Sequence, residues 1–356
     1  MKMNILVLSA VLLLASCSED GDITKEEDSM KPNTEIPSGD SDGTNNASAK
    51  NRFNVKSTVG EVLSDPVFSG FGHLLLPVDW NITRDMTLAD ISSPNVYVWY
   101  SHIQPEKTVD IINRLYSDAA AGKQIFYRIY SDAEIAADPS KADTGLFLFR
   151  GETGKPFAIT NAGGGFMYVG AMHDSFPHSL EISKAGYNAF ALIYRPDDPY
   201  NDLARAITFI HDNAAELGVE ADDYSLWGGS AGARMSAVLG NKAYLQQLTG
   251  RTDIPQASAV IMQYTGYIQA SQYDAPTYVC VGSNDGIASW RTMQNRLQRL
   301  SAIGIPTEFH VYDGLGHGFG IGTGTVADGW VNDALKFWQK NMKADESAGI
   351  PPVYAD

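Results

Sequence analysis

The stretch Tyr224-Ser-Leu-Trp-Gly-Gly-Ser-Ala-Gly-Ala-Arg-Met-Ser-Ala-Val-Leu239 decides the fold of this chain. The apolar run that ends at Trp227 predicts a β-strand, and the run after Gly232 predicts a helix. Gly228 and Gly232 stand two positions before and after Ser230, which lets a strand and a helix approach closely across a strained turn. A glycine-rich turn without chemical function is the alternative, but the flanking elements favour a nucleophile elbow, with Ser230 as the nucleophile.

Strand and helix patterns alternate regularly around this elbow from residue 144 onward. Short β-branched and aromatic runs predict strands at residues 145–150, 156–161, 188–194, 224–227, 259–263, 277–282 and 308–312, with a further strand at 124–130. Helices are predicted at residues 175–185, 202–217, 231–239, 287–302 and 327–342, and another begins at Pro105. This order is typical of βαβ units, and we predict a mainly parallel sheet of about eight strands flanked by helices, with an N-terminal accessory segment.

A second glycine-rich run follows one of these predicted strands. Asn161-Ala-Gly-Gly-Gly165 comes directly after residues 156–160, where exposed backbone N–H groups would face a developing negative oxygen. Together with the amide of Ala231, donors at Gly164 or Gly165 would stabilise a tetrahedral intermediate by about 3 to 4 kcal/mol each. A phosphate-binding loop is disfavoured, because the run matches neither G-x-x-x-x-G-K-S/T nor G-x-G-x-x-G.

A nucleophilic serine needs a histidine that takes its proton and a carboxylate that orients the histidine. Of the seven histidines, His317 lies in a glycine-rich loop just beyond the last predicted strand. Asp285 follows the strand at 277–282 and completes the chain order serine, acid, histidine. Asp313, Asp197 and Asp198 are competing carboxylates, and an N-cap of the next helix is the non-catalytic alternative for Asp285.

The N-terminus has the features of an export signal. The apolar residues 5–15 are too short to span a membrane, and Leu14-Ala-Ser-Cys17 resembles the lipobox of bacterial lipoproteins. We therefore predict a signal peptide over residues 1–16, lipidation of Cys17, and an acidic, disordered tether over residues 17–51. The protein is expected to be exported and lipid-anchored to the bacterial cell envelope, with an ordinary signal peptide as the alternative. An accessory segment (52–143) and a catalytic domain (144–356) follow.

Charge and cysteine content exclude several classes of protein. The chain carries 42 acidic and 26 basic residues, a formal net charge of −16, and such a field repels the phosphate backbone of nucleic acids. The two cysteines lie in different contexts and build no disulfide framework. Cys280 is predicted to be a small buried hydrophobic residue within a strand. The predicted chemistry needs neither a metal ion nor a cofactor, and the lipid anchor is the expected contact with the membrane.

Four segments of the chain resemble bacterial acetyl-esterase and acetylxylan-esterase-like α/β hydrolases. They are Pro156-Phe-Ala-Ile-Thr-Asn-Ala-Gly-Gly-Gly-Phe166, Gly186-Tyr-Asn-Ala-Phe-Ala-Leu-Ile-Tyr-Arg195, Trp227-Gly-Gly-Ser-Ala-Gly232 and Gly316-His-Gly-Phe-Gly320. The resemblance covers about residues 144–342. It implies the α/β-hydrolase fold, the same three catalytic residues, and hydrolysis of short acyl esters, acetyl esters above all, on small molecules or oligosaccharides.

The chain departs from the family pattern at a few positions. Asn161 and Ala162 stand where many relatives carry His or Pro, and Ala233 stands where they carry a second glycine. For Arg234, one turn into the helix, we favour a buried structural ion pair over a substrate contact.

Two other functions are open to this sequence. A serine peptidase related to prolyl oligopeptidases is disfavoured, because the region before Thr144 is too short for a propeller. A surface glycan-binding lipoprotein without catalysis would use Trp80, Trp99, Tyr100 and Trp290 as stacking platforms, although such residues are more often part of a core.

Overall fold

A single eight-stranded sheet runs through the computed structural model, which describes residues 52–77 and 80–343. The order of the strands across the sheet is β1-β2-β4-β3-β5-β6-β7-β8. β2 runs antiparallel to β1 and to β4, and the neighbours from β4 to β8 are parallel. This confirms the predicted mainly parallel sheet of about eight strands. The strands are β1 (Phe126–Arg128), β2 (Gly145–Phe149), β3 (Pro156–Asn161), β4 (Asn188–Ile193), β5 (Glu220–Gly229), β6 (Ala259–Gln263), β7 (Thr277–Gly282) and β8 (Thr307–Tyr312).

Helices connect most of these strands and include several that the sequence patterns did not predict. The predicted helix at 202–217 is divided at Asn213, and the helix predicted from residue 287 begins at Trp290. The helices are α1 (Val59–Ser64), α2 (Leu88–Ile91), α3 (Pro105–Ala120), α4 (Asp132–Ala137), α5 (Ala171–Asp174), α6 (Phe176–Lys184), α7 (Pro199–Asp212), α8 (Ala214–Leu217), α9 (Ala231–Leu239), α10 (Lys242–Thr249), α11 (Trp290–Ala302) and α12 (Trp330–Asn341). Short 3-10 helices cover Pro66–Phe68, Gly72–Leu75 and Pro139–Asp143.

Helices cover both faces of the sheet. α6 and α12 pack on each other and on the strands, whereas α9 packs on β5 and β6 with α7 and α10 beside it. Strands covered on both faces are buried along their whole length and mainly apolar, and every residue of β2, β4 and β7 is buried accordingly.

The register of the parallel strands brings their carboxyl ends to one edge. Asn161 at the end of β3 pairs with Gly228 of β5, and Gly229 pairs with Gln263 at the end of β6. Gly282 at the end of β7 pairs with Tyr312 at the end of β8. The loops that follow β3, β5, β7 and β8 therefore leave the sheet side by side, which is where open α/β sheets form their sites.

The segment from residue 52 to 143 shares the core of the sheet. Phe53, Ile111 and Leu115 are buried in the same hydrophobic cluster as the strands, and β1 extends the sheet beyond β2. The Asn113 side chain accepts a hydrogen bond from the Phe53 amide at 2.9 Å and donates one to its carbonyl at 2.9 Å, which fastens the start of the segment to α3. This segment therefore packs as part of the same body, and its predicted boundary at residue 143 stays a prediction.

Within the described ranges, no helix has both the length and the apolar character that a membrane crossing requires. The predicted signal peptide (1–16), Cys17 and the tether (17–51) lie outside the described residues, so these interpretations stay predictions.

Candidate active site

Ser230 occupies a strained turn between β5 and α9. Its backbone has φ 51° and ψ −113°, a conformation that residues with a side chain rarely adopt, and its amide donates to the Gln263 carbonyl at 3.0 Å. A Cβ atom at Gly228 would lie 2.3 Å from the Gly232 carbonyl, and one at Gly232 would lie 2.0 Å from the Asn161 carbonyl oxygen. Both flanking positions therefore admit only glycine, as the elbow pattern predicts.

The structure brings Ser230, His317 and Asp285 together in one hydrogen-bonded row. His317 Nε2 lies 3.1 Å from Ser230 Oγ, and Nδ1 lies 2.7 Å from Asp285 Oδ2. The side chains of His317 and Asp285 are 7% and 0% exposed. Because a carboxylate only accepts hydrogen bonds, Nδ1 carries the proton and Nε2 is free to accept from the serine hydroxyl. This tautomer is the one that a general base requires.

Asp285 is held by the backbone of its own loop. Its Oδ1 accepts from the amides of Ile287 at 2.8 Å and Ala288 at 2.7 Å, which leaves Oδ2 for His317. The N-cap of α11 is Ser289, so the N-cap alternative for Asp285 is wrong. None of the competing carboxylates bonds to His317: Asp313 accepts from Ser283 Oγ, Asp198 pairs with Arg195, and Asp197 is exposed.

The loops that carry Asp285 and His317 are joined to each other directly. The Ser283 amide donates to the Tyr312 carbonyl and the Asn284 amide donates to the Leu315 carbonyl, both at 2.9 Å. A Cβ atom at Gly282 would lie 2.0 Å from the Leu315 carbonyl oxygen, so glycine is needed for this close approach. Adjacent parallel strands thus place acid and base next to each other although 32 positions separate them.

The glycine loop after β3 presents free backbone donors. Gly164 and Gly165 have φ values of 121° and 63°, which turn the chain back on itself. Among the described residues no acceptor binds the amides of Gly164, Gly165 or Ala231, whereas the Gly163 amide donates to Asp174 Oδ2 at 2.7 Å. Gly165 and Ala231 face the same cleft as Ser230, and Gly164 is buried behind them. The amides of Gly165 and Ala231 are therefore free at the cleft and the Gly163 amide is not, while the role of Gly164, Gly165 and Ala231 as oxyanion donors stays a prediction.

The unusual residues before this loop have structural partners. The side-chain amide of Asn161 donates through Nδ2 to the Trp227 carbonyl at 3.1 Å and to Ser236 Oγ at 3.0 Å, which ties β3 to β5 and α9. The Ala162 carbonyl accepts from the Tyr194 hydroxyl at 2.7 Å. The Asn161 side chain therefore links β3 to β5 and α9 beneath the loop and does not bond to the amides of Gly164 or Gly165.

Asp174, which sequence reasoning missed, is a buried hub beneath the site. Its carboxylate accepts from the Gly163 amide at 2.7 Å, the Tyr100 hydroxyl at 2.9 Å and the Tyr264 hydroxyl at 2.5 Å. Burial raises the pKa of this carboxyl to about 6, and the three hydrogen bonds oppose that rise. The Tyr264 ring packs 4.8 Å from the His317 ring. Asp174 thereby connects the glycine loop to the neighbour of the histidine, and no motif marks it in the sequence.

Residues 99–101 of the N-terminal segment hold the histidine loop from behind. Ser101 Oγ donates to the His317 carbonyl at 3.0 Å, and the Ser101 amide donates to the Gly318 carbonyl at 2.9 Å. His173 Nε2 lies 3.2 Å from the same Gly318 carbonyl. A Cβ atom at Gly318 would lie 2.4 Å from the Trp99 carbonyl oxygen, so the two segments meet backbone to backbone. The segment therefore supports the catalytic loop directly.

An open cleft of about 470 Å³ lies above the serine. Its lining residues are Gly165, Phe166, Ser230, Ala231, Arg234, Tyr264, Thr265, Gly266, Ile287 and Ala288. The preferred prediction for Arg234, a buried ion pair, is wrong: the side chain is exposed and forms no ion pair with any described residue. The physical reason is helical periodicity, since Arg234 stands four positions after Ser230 and shares its face.

Two further predictions concern metal and cysteine chemistry. Cys280 is buried and free, and burial raises the pKa of its thiol well above the usual range, which confirms the prediction of a buried hydrophobic residue. Among residues 52–77 and 80–343, no group of three or more His, Cys, Asp or Glu side chains is placed to hold a metal ion. The expectation that no cofactor is needed stays a prediction.

Comparisons with known proteins agree with this fold. The BD-FAE family model matches residues 149–287. The structure is similar to an acetyl ester-xyloside bifunctional hydrolase from Caldicellulosiruptor lactoaceticus, with 18% identity, TM-score 0.51, and coverage of 60% of this chain and 95% of the other. It is also similar to the butyrate-bound esterase Est2 of Thermogutta terrifontis, with 17% identity, TM-score 0.50, and coverage of 62% and 96%. No curated protein matches the sequence. These likenesses confirm the predicted α/β-hydrolase fold.

Proposed function

We propose that this chain, which has the α/β-hydrolase fold, is a serine esterase that hydrolyses short-chain acyl esters, and acetyl esters above all, through an acyl-enzyme formed on Ser230. One observation carries the proposal. The row from Ser230 Oγ through His317 to Asp285 has hydrogen-bond distances of 3.1 and 2.7 Å, the arrangement that makes a serine hydroxyl nucleophilic.

The proposed reaction has two halves. His317 Nε2 takes the proton from Ser230 Oγ as the oxygen attacks the ester carbonyl, and Asp285 stabilises the imidazolium that forms. The amides of Ala231 and of Gly164 or Gly165 bind the negative oxygen of the tetrahedral intermediate. His317 then gives its proton to the leaving alcohol. In the second half water attacks the acyl carbonyl as the same nitrogen takes its proton, and the return of that proton to Ser230 Oγ breaks the acyl–oxygen bond, releases the acid and restores the serine.

We propose that the alcohol portion of the substrate is a carbohydrate. The loop after β6 contributes residues to the cleft above Ser230 and also to a second cleft of about 540 Å³. The exposed or half-buried rings of Tyr244, Tyr267 and Tyr273 line this second cleft. Tyrosine rings offer apolar faces with a polar edge, which suits the faces and hydroxyl groups of sugars. The structurally similar C. lactoaceticus protein is described as an acetyl ester-xyloside hydrolase, which supports the same substrate class.

The loop that presents these rings is rigidly built. The buried guanidinium of Arg296 donates to the Gln269 carbonyl at 2.7 Å and to Asp274 Oδ1 at 2.9 Å. Asp274 Oδ2 accepts in turn from the Ser271 amide at 2.7 Å. Such preorganisation lowers the entropy that is lost when a ligand binds, so the cleft is suited to recognition.

The central test compares wild type with Ser230→Ala. A fluorophosphonate probe should label wild type and Ser301→Ala, a change at an exposed serine of α11, but not Ser230→Ala. Hydrolysis of 4-nitrophenyl acetate and acetylated xylan fragments should disappear together with the labelling. Equal labelling of all three proteins would remove Ser230 as the nucleophile. Turnover of a Pro-4-nitroanilide but of no ester would favour a peptidase, and glycan binding without any turnover would favour a binding protein.

We also propose that Cys17 is lipidated and anchors the exported protein to the cell envelope. The support is the sequence Leu14-Ala-Ser-Cys17 behind an apolar leader. In cells that process lipoproteins, a palmitate label should enter the wild type and not Cys17→Ser, and the variant should lose its membrane association. Equal labelling of both proteins would refute the anchor and leave the esterase proposal untouched.

A further inference from the structure

The arginines of this chain are almost all engaged, and Arg234 is the exception. Eleven of the twelve arginines, all of them in the described ranges, contact a hydrogen-bond acceptor, a carboxylate or an aromatic ring. Arg234 has no such side-chain partner among the described residues, although the chain has an excess of acidic groups. A planar, permanently charged guanidinium without a protein partner in the cleft above Ser230 is suited to bind a ligand.

The surroundings of Arg234 suit an anion. Among the described residues that line the cleft, Arg234 alone carries a formal charge, because the others are Gly, Ala, Ser, Thr, Ile, Phe and Tyr. The Arg234 amide donates to the Ser230 carbonyl at 3.2 Å, so the side chain leaves the first turn of α9 on the side of the nucleophile. The positive end of the α9 dipole adds to the same local potential.

The net charge of the chain makes this local potential selective. With a formal net charge of −16, the protein as a whole repels anions. The guanidinium of Arg234 in the cleft provides a local positive charge that can attract a negative group there. A carboxylate matches the fork of the guanidinium and can accept two parallel hydrogen bonds from it.

We propose that Arg234 binds a carboxylate carried by the alcohol portion of the ester, so that the preferred substrates are acyl esters of hydroxy acids or of acidic sugars. This inference rests on the proposed function, in which the acyl group is a short neutral one and the charge must therefore lie on the other side of the scissile bond. Arg234 acts here as a specificity residue and takes no part in the proton transfers.

The test uses two esters that differ in one charge: 4-acetoxybenzoate and its methyl ester. Arg234→Gln should lower kcat/KM for 4-acetoxybenzoate at least about tenfold, mainly through KM, because the paired, charge-assisted hydrogen bonds to the carboxylate are lost. The methyl ester should change less than about twofold. Arg234→Lys should restore part of the loss, and Arg128→Gln, which removes the same charge at the edge strand β1, should leave both esters unchanged.

A second pair of esters tests which side of the bond carries the charge. Mono-4-nitrophenyl succinate and 4-nitrophenyl butyrate differ by a carboxylate on the acyl group. A loss in Arg234→Gln that is confined to the succinate would overturn the proposal, as would equal losses for 4-acetoxybenzoate and its methyl ester. Failure of the proposed function is a separate result, since wild type would then hydrolyse neither the methyl ester nor the butyrate.

Discussion

Residues 144–343 and residues 52–143 contribute to the candidate site in different ways. In the first region the chemistry follows the ends of strands: Ser230 comes after β5, Asp285 after β7 and His317 after β8. The second region carries no catalytic pattern, yet its Ser101 bonds to the backbone of the histidine loop. Motifs mark the residues that we propose react, whereas the residues that hold them in place are determined by tertiary packing.

The N-terminal segment therefore contacts the loops of the candidate site from behind. Ser101 and Trp99 lie against the loop of His317, and Tyr100 reaches Asp174 beneath the glycine loop. The loop of His317 thus contacts the segment directly, and the glycine loop is connected to it through Asp174. The contributions of the two regions can be compared by experiment when matched substitutions are made in both and their effects on activity and stability are measured.

The largest effect is expected within the first region, at the acid. Asp285→Asn should lower kcat about 10⁴-fold with little change in stability, because an amide at this position favours the wrong tautomer of His317. Asp313→Asn makes the same change at the competing carboxylate, which is exposed and bonds to Ser283, and should change kcat less than about threefold. Steady-state kinetics with 4-nitrophenyl acetate measures both. Similar losses in the two variants would mean that the acid is assigned incorrectly.

The boundary between the regions should be sensitive to acid through His173. Its ring packs 5.0 Å from Tyr100, and burial lowers its pKa to about 4. The unfolded chain then binds the proton first as pH falls, so the stability that neutral His173 contributes is full above pH 6.5 and decreases toward pH 4 by about 3 kcal/mol. Asp174, with its pKa raised to about 6, acts with the opposite sign, because its protonation below pH 6 stabilises the folded state.

A variant isolates the contribution of His173 from that of Asp174. His173→Gln keeps a donor for the Gly318 carbonyl but cannot become charged, so between pH 7 and 4 its free energy of unfolding should fall by about 3 kcal/mol less than that of wild type. Urea titrations at a series of pH values give this difference. Parallel pH profiles for the two proteins would show that the histidine does not remain neutral in the folded state.

The next effect is expected at Asp174, where the two regions meet. Asp174→Asn should lower kcat/KM about 100-fold, because the amide cannot accept from the Gly163 amide and both tyrosine hydroxyls at once. Asp202 is the matched control: it is equally buried and accepts from the Tyr130 hydroxyl at 2.6 Å, away from the cleft. Asp202→Asn should lower stability and leave kcat unchanged. If both variants lose only stability, Asp174 has no positioning role.

The sequence predicts the fold and the candidate site better in the first region than in the second, and the reason is physical. The strand pattern and the glycines around Ser230 are local requirements, and they predicted the fold and the row of Ser230, Asp285 and His317. Arg234 was placed wrongly, because residue type alone does not show whether a helical arginine meets a carboxylate. Asp174 and Ser101 could not be found, since their partners are 11 and 216 positions away and no local constraint fixes either residue.

The smallest expected effect distinguishes two neighbouring tyrosines of the N-terminal segment. Tyr100 and Tyr97 are both buried, but the Tyr100 hydroxyl donates to Asp174, whereas the Tyr97 hydroxyl has no partner among the described residues. Tyr100→Phe should cost about 1 kcal/mol of stability and lower kcat several-fold, because Asp174 loses a donor. Tyr97→Phe removes a buried hydroxyl that gains nothing from folding, so stability should stay equal or rise.

Urea unfolding and steady-state kinetics on the two variants measure this difference. The chemical change is identical, one hydroxyl from one buried ring, so hydrophobic burial and side-chain entropy cancel in the comparison. A loss of kcat in Tyr100→Phe alone would show that the segment acts on catalysis through Asp174. If the two variants lost equal activity, general packing of the segment against the histidine loop would account for its influence, and the hydrogen bond would carry none of it.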